Sequence, residues 1–146
     1  MVDQVLAAGP NRRDWYYQKH MAIHMLPEVD LGWMADDSFV HCFLIRDPRE
    51  VIASMTEFRD LREVHLNAGA EAAAELVGIP QLQRIFDRAC DLSPTPPPVI
   101  DANSVLEHPS ATLTEFCARV GLPFDPDAEL SWAAGQHADD GAWAPF

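Results

Sequence analysis

The sequence holds one lysine, Lys19, and seven glycines, no two of them five positions apart. A Gly-x-x-x-x-Gly-Lys phosphate loop is therefore absent from residues 1–146. Such a loop cradles phosphates with backbone N–H groups at a helix N-terminus and neutralises their charge with its lysine. Basic residues are scarce altogether, ten Lys and Arg against 23 Asp and Glu, for a net charge of −13. That balance speaks against nucleic-acid and anionic-membrane partners, which call for a basic surface, and neither is expected. No run approaches the roughly 20 apolar residues of a membrane helix. Met1–Gly9 lacks the basic start and apolar stretch of a secretory leader, so a cytoplasmic protein is expected. The three cysteines, Cys42, Cys90 and Cys117, include no Cys-x-x-Cys and sit among apolar neighbours, which predicts reduced core thiols. His20 and His24 would share a helix face. Met21 stands where a zinc protease needs Glu and no third ligand follows, so no metal is expected.

The most informative run is Phe43-Leu44-Ile45-Arg46-Asp47-Pro48 and its continuation to Met55. Apart from His41, the residues Phe39–Ile45 are apolar, which predicts a strand covered on both faces. Asp47 is a good N-cap and Pro48 suits a first helical turn. Val51, Met55 and Phe58 recur at helical spacing, with Ile52 widening the stripe, so a helix over Pro48–Phe58 is expected. Ser54 follows Asp47 by seven residues, almost two full turns, and shares its azimuth. Arg46 at the strand end and Ser54 on the helix can thus address one small anion, as a phosphate grip. The ordinary alternative is a plain strand–helix junction, since Asp caps helices and Pro starts them. Arg49, Arg59 and Arg62 read as solvated helix charges that pair with Glu50, Asp60 and Glu63.

The rest reads as a single α/β domain over 1–146. Further strands are expected at Trp15–Lys19 and Val99–Asp101. Helical turns are expected at Met21–Leu26 and Leu31–Asp36. Helices should cover Val2–Ala8, Leu61–Asn67, Ala70–Val77, Pro80–Leu92, Pro109–Val120 and Asp127–Ala134. Pro94–Pro98 is a stiff connector into the last strand, and Gly121 a helix C-cap.

Arg46-Asp47-Pro48 followed by Ser54 resembles the 3′-phosphate-binding segment of sulfotransferases that use 3′-phosphoadenosine 5′-phosphosulfate (PAPS). In that family an arginine at a strand end and a serine eight residues later hold the nucleotide's 3′-phosphate. The likeness extends through Tyr17–Ala22, Gly121–Pro126 and Asp140–Ala144, and is closest to a bacterial branch. It implies a P-loop-type parallel sheet with flanking helices, and PAPS as cosubstrate bound by Arg46 and Ser54. It also implies a small-molecule acceptor carrying a hydroxyl or amine. The family's other phosphate half-site is the Gly-rich loop that 1–146 lacks. The resemblance therefore implies an incomplete fold, missing its first strand and truncated at both ends. Open strand edges left by that gap would favour self-association. The family's base is often a histidine soon after a strand-end lysine. Lys19 matches the lysine, Met21 occupies the usual histidine position, and His20 and His24 are the available substitutes. A structural histidine pair is the other reading of both. Three functions follow: sulfuryl transfer, a non-catalytic remnant serving as a nucleotide-binding or interaction module, or another nucleotide-dependent transferase such as a kinase.

Overall fold

Asp47 stands between a strand that ends at Ile45 and a helix that starts at Pro48, and the architecture follows from that junction. The computed structural model describes Trp15, residues 17–58, Gly69 and residues 71–131. The chain divides into two compact units, Met1–Asn103 and Ser104–Phe146. The first contains 3-10 turns at Ala22–His24 and Gly32–Ala35, strand β1 (Phe43–Ile45), helix α1 (Pro48–Phe58), helix α2 (71–77), helix α3 (Ile79–Leu92) and strand β2 (Val99–Asp101). Helix α4 (Ala102–Glu107) leads into the second unit, which holds α5 (Pro109–Val120) and α6 (Pro126–Glu129).

The architecture is mixed α/β. Among the described residues the sheet has two strands, β1 and β2, paired in parallel with Phe43 opposite Val99, Leu44 opposite Ile100 and Ile45 opposite Asp101. The Phe43 N–H donates to the Pro98 carbonyl at 2.9 Å, so the proline connector delivers β2 into register. The core of this unit gathers on Met34, Phe43 and Ala89, with Leu82, Ile85 and Phe86 of α3 packed against them. Phe43 meets Phe86 edge-on, with ring centroids 5.2 Å apart. Leu82, Ile85, Phe86 and Ala89, which recur at helical spacing, thus form the face of α3 turned toward β1.

Two strand expectations need correction. The strand expected over Phe39–Ile45 is ordered as a ladder only over Phe43–Ile45, because β2 offers three partners and no more. Residues before it are held otherwise. The Asp36 carboxylate accepts from Ser38 N–H at 2.9 Å and from its hydroxyl at 2.6 Å, and Phe39 N–H reaches the Asp36 carbonyl. Nor is the strand covered on both faces: Phe43 is buried, but Leu44 is 61% exposed and Ile45 43%. Trp15 and residues 17–19 form no strand, and Trp15 and Tyr17 stand exposed.

The second unit shows local rules acting cleanly. Pro109 opens α5 and Gly121 closes it with φ +77°, the left-handed conformation that glycine adopts without Cβ strain. The Leu122 N–H then donates to the Cys117 carbonyl at 2.8 Å. Val120 is buried, with Leu113 and Cys117 half-buried. Asp125 caps α6 by accepting from the Asp127 N–H. The thiols are free, as expected, but none is a core residue: Cys42 is exposed, and Cys90 and Cys117 are intermediate. The helices expected at Val2–Ala8 and Leu61–Asn67, and the Asp140–Ala144 segment, lie outside the described residues.

Candidate functional site

Three backbone carbonyl and carboxylate contacts make the β1–α1 junction. The Asp47 carbonyl accepts from the N–H groups of Glu50 and Val51, each at 3.0 Å, and its carboxylate accepts from the Arg49 N–H at 2.8 Å. Asp47 is therefore a working N-cap. The same carboxylate receives Arg49 Nε at 3.1 Å and Nη2 at 2.7 Å. The Arg49 side-chain and backbone bonds, aided by its charge, pull the Asp47 carboxyl down to about 2, and Arg49 is raised in turn.

The expected pairing of Arg49 with Glu50 does not form. Arg49 is occupied by Asp47, and Glu50 instead accepts from Arg46 Nε at 2.9 Å. Geometry decides this: Glu50 lies one turn beyond Arg46, on the same side, whereas adjacent helical residues diverge. Ser54 lies one further turn along, exposed, with no side-chain partner among the described residues. Arg46, Glu50 and Ser54 thus form successive rungs at the sheet's carboxyl end, where open α/β sheets place ligands. The terminal nitrogens of Arg46 have no partner among the described residues, and its side chain is 42% exposed. This arrangement can present guanidinium and hydroxyl donors to an anion.

The base candidates sit elsewhere in the first unit. Lys19 is exposed. His20 is exposed too; its Nε2 pairs with Gln18 Oε1 at 3.1 Å, and its ring lies 5.7 Å from that of Trp33. His24 ends the first 3-10 turn and is exposed. That turn is too short to align His20 and His24 on one face. No hydrogen bond, ion pair or ring contact joins Lys19, His20 or His24 to Arg46 or Ser54 among the described residues. Nor does any group of three His, Cys, Asp or Glu among them stand ready for a metal.

Three residues beyond the sequence reading organise this region. Arg84 Nη2 donates to the carbonyls of Met25 at 2.7 Å and Leu26 at 2.8 Å, tying the 3-10 turn to α3. Gly78, at φ +81°, lets that turn approach the start of α3. His41 donates from Nε2 to the Met34 carbonyl at 2.9 Å, which fixes its proton there, and stacks on Phe39. His41 is thus engaged away from Cys42, whose thiol is pushed up by desolvation, the reverse of what a nucleophile needs. A pair like Arg84 and Leu26 leaves no local signal. Glu50 was within reach of the four-residue spacing from Arg46.

The sulfotransferase-domain family model matches residues 1–146, and the chain belongs to that family. Among curated proteins it is similar to the branched-chain-amino-acid aminotransferase-like proteins 2 and 1 of Arabidopsis thaliana. Identity is 29% and 30% over 138 residues, covering 94% of this chain and 22% of each relative. The chain thus spans about a fifth of the length of these relatives. No solved structure matches it significantly.

Proposed function

We propose that this chain carries the 3′-phosphate half-site of a PAPS-dependent sulfotransferase, with Arg46 and Ser54 as its donors. One observation carries the reading: the strand-end arginine and the helical serine occur on a capped strand–helix junction, with their donor atoms exposed, inside a chain of sulfotransferase descent. His20 and His24 are the candidate bases for an acceptor hydroxyl or amine, and Lys19 the candidate charge for the leaving phosphate. Cytoplasmic location and a bacterial-branch affinity belong to the same reading. The name of the plant relatives suggests aminotransfer, but a pyridoxal-type mechanism needs a Schiff-base lysine. The only lysine here, Lys19, is exposed.

The test is a titration of the purified chain with adenosine 3′,5′-bisphosphate and adenosine 5′-monophosphate. The bisphosphate should bind better, at about millimolar affinity or roughly 4 kcal/mol, because one half-site acts alone. Arg46→Ala should erase the preference, a loss of about 1.5–3 kcal/mol for a charge-assisted bond. Sulfuryl transfer by 1–146 should stay at background, since charge stabilisation at the transferring group falls to the Gly-rich loop. Equal curves for the two nucleotides would remove the half-site. The exposed Leu44, Ile45 and Val99 favour a second reading, an interaction module that docks another chain on this sheet.

A further inference from the structure

Glu50 occupies the third position of α1, counted from the Asp47 cap. An acid there ordinarily reaches back to the cap's own N–H, completing a capping box. Here its carboxylate takes Arg46 Nε instead, while Asp47 alone serves the helix entry. Arg46 and Glu50 are each a little under half exposed, at 42% and 44%, and such pairs contribute little to folding. The contact has a different consequence. A guanidinium bonded through Nε keeps both terminal nitrogens available on its outer edge. A long side chain held in one place also loses less freedom when an anion arrives.

We propose that Glu50 is the positioning residue of the anion grip. It holds Arg46 by Nε over the first turn of α1, so that the terminal nitrogens and the Ser54 hydroxyl, one turn further along, meet the same phosphate. This rests on the half-site reading given above. The carboxylate also places negative charge beside the anion, so its hydrogen bond helps binding while its charge opposes it. Glutamine keeps an acceptor and drops the charge; alanine removes both. Their helix propensities are close enough that α1 should tolerate either.

Adenosine 3′,5′-bisphosphate and adenosine 5′-monophosphate are titrated by calorimetry into the wild-type, E50Q, E50A and R46A chains, with folding checked by circular dichroism. E50A should bind the bisphosphate about three- to tenfold more weakly than E50Q, the span of one ordinary hydrogen bond. It should also lose part of its preference for the 3′-phosphate. Nitrogen-15 NMR should show the Arg46 Nε–H protected from exchange in the wild type and E50Q, and not in E50A. Equal or tighter binding by E50A than by E50Q overturns the positioning role alone, provided R46A still erases the preference. A wild-type chain that does not distinguish the nucleotides, or an R46A chain that does, overturns the half-site and this inference with it.

Discussion

The Ile23 amide nitrogen lies 2.6 Å from the point where a β-carbon on Gly78 would stand. The turn that ends in His24 therefore rests on bare backbone at the start of α3. Gly78→Ala must both strain φ +81° and push that turn away. A destabilisation of about 1–3 kcal/mol is expected. Gly121→Ala is the control, since φ is +77° but nothing lies within 4 Å. Urea unfolding of the two variants should show the larger loss for Gly78→Ala. Equal losses would mean that the close approach does not contribute.

Arg84→Ala should release the same turn from its other side. Two bonds from one charged nitrogen to the Met25 and Leu26 carbonyls disappear, and Met25 is buried at 4% exposure. The expected cost is about 1.5–3 kcal/mol. Hydrogen exchange read by mass spectrometry should speed up over residues 22–26 and leave α5 unchanged. Arg84→Lys should recover part of the protection, because an ammonium can donate to the same carbonyls but from a flexible stem that loses more freedom in doing so.

Asp47 ties helix α1 to acid stability. Its folded value, about 2, lies below the 3.8 of an unperturbed aspartate. A depressed carboxyl contributes stability that is complete above the unfolded value and drains away as pH falls toward the folded one. The wild type should therefore lose more melting temperature than Asp47→Ala between about pH 4 and pH 2. Parallel melting curves for the two chains across that window would contradict the cap's role.

How far the sequence reveals this molecule depends on the range of each interaction. Helices α1 and α5 run over the residues that their Asp-Pro and Pro–Gly signals mark, because caps act within one turn. The Val99–Asp101 strand is likewise where its apolar run sits. The strand at Phe39–Ile45 was legible only at its end, since ladder length depends on a partner far along the chain. Trp15–Lys19 has strand-like composition, yet Trp15 and residues 17–19 join no ladder among the described residues. At the candidate site Arg46 and Ser54 are readable from spacing, while the partner exchange that gives Glu50 to Arg46 depends on Asp47 capturing Arg49. Nothing near Arg84 announces its carbonyl partners, which lie 58 and 59 residues away.

The incompletely covered sheet predicts self-association. Leu44 is 61% exposed on one face of a two-stranded parallel sheet, and Val99, in register with Phe43, is 41% exposed on the other, whereas proteins usually cover both faces of such a sheet. Sedimentation velocity should show species larger than the monomer that grow with concentration, and Leu44→Lys should shift the distribution to monomer. A wild-type chain that stays monomeric with a sharp melt above about 60 °C would show the sheet to be sufficient as it stands.

The parallel register of β1 on β2 also sets an order of events during synthesis. Phe43, Leu44 and Ile45 are each synthesised 56 residues before their partners Val99, Ile100 and Asp101. At a translation rate of about 5–20 residues per second, the first strand waits roughly 3–10 s for its ladder. A helix forms in microseconds, so α1 and α3 have time to form and to bury Phe43 against Phe86 before any ladder bond is made. Until β2 is made, Leu44 and Ile45 therefore stand on a strand without its ladder partner, and an arrest after α3 would hold the chain in that state.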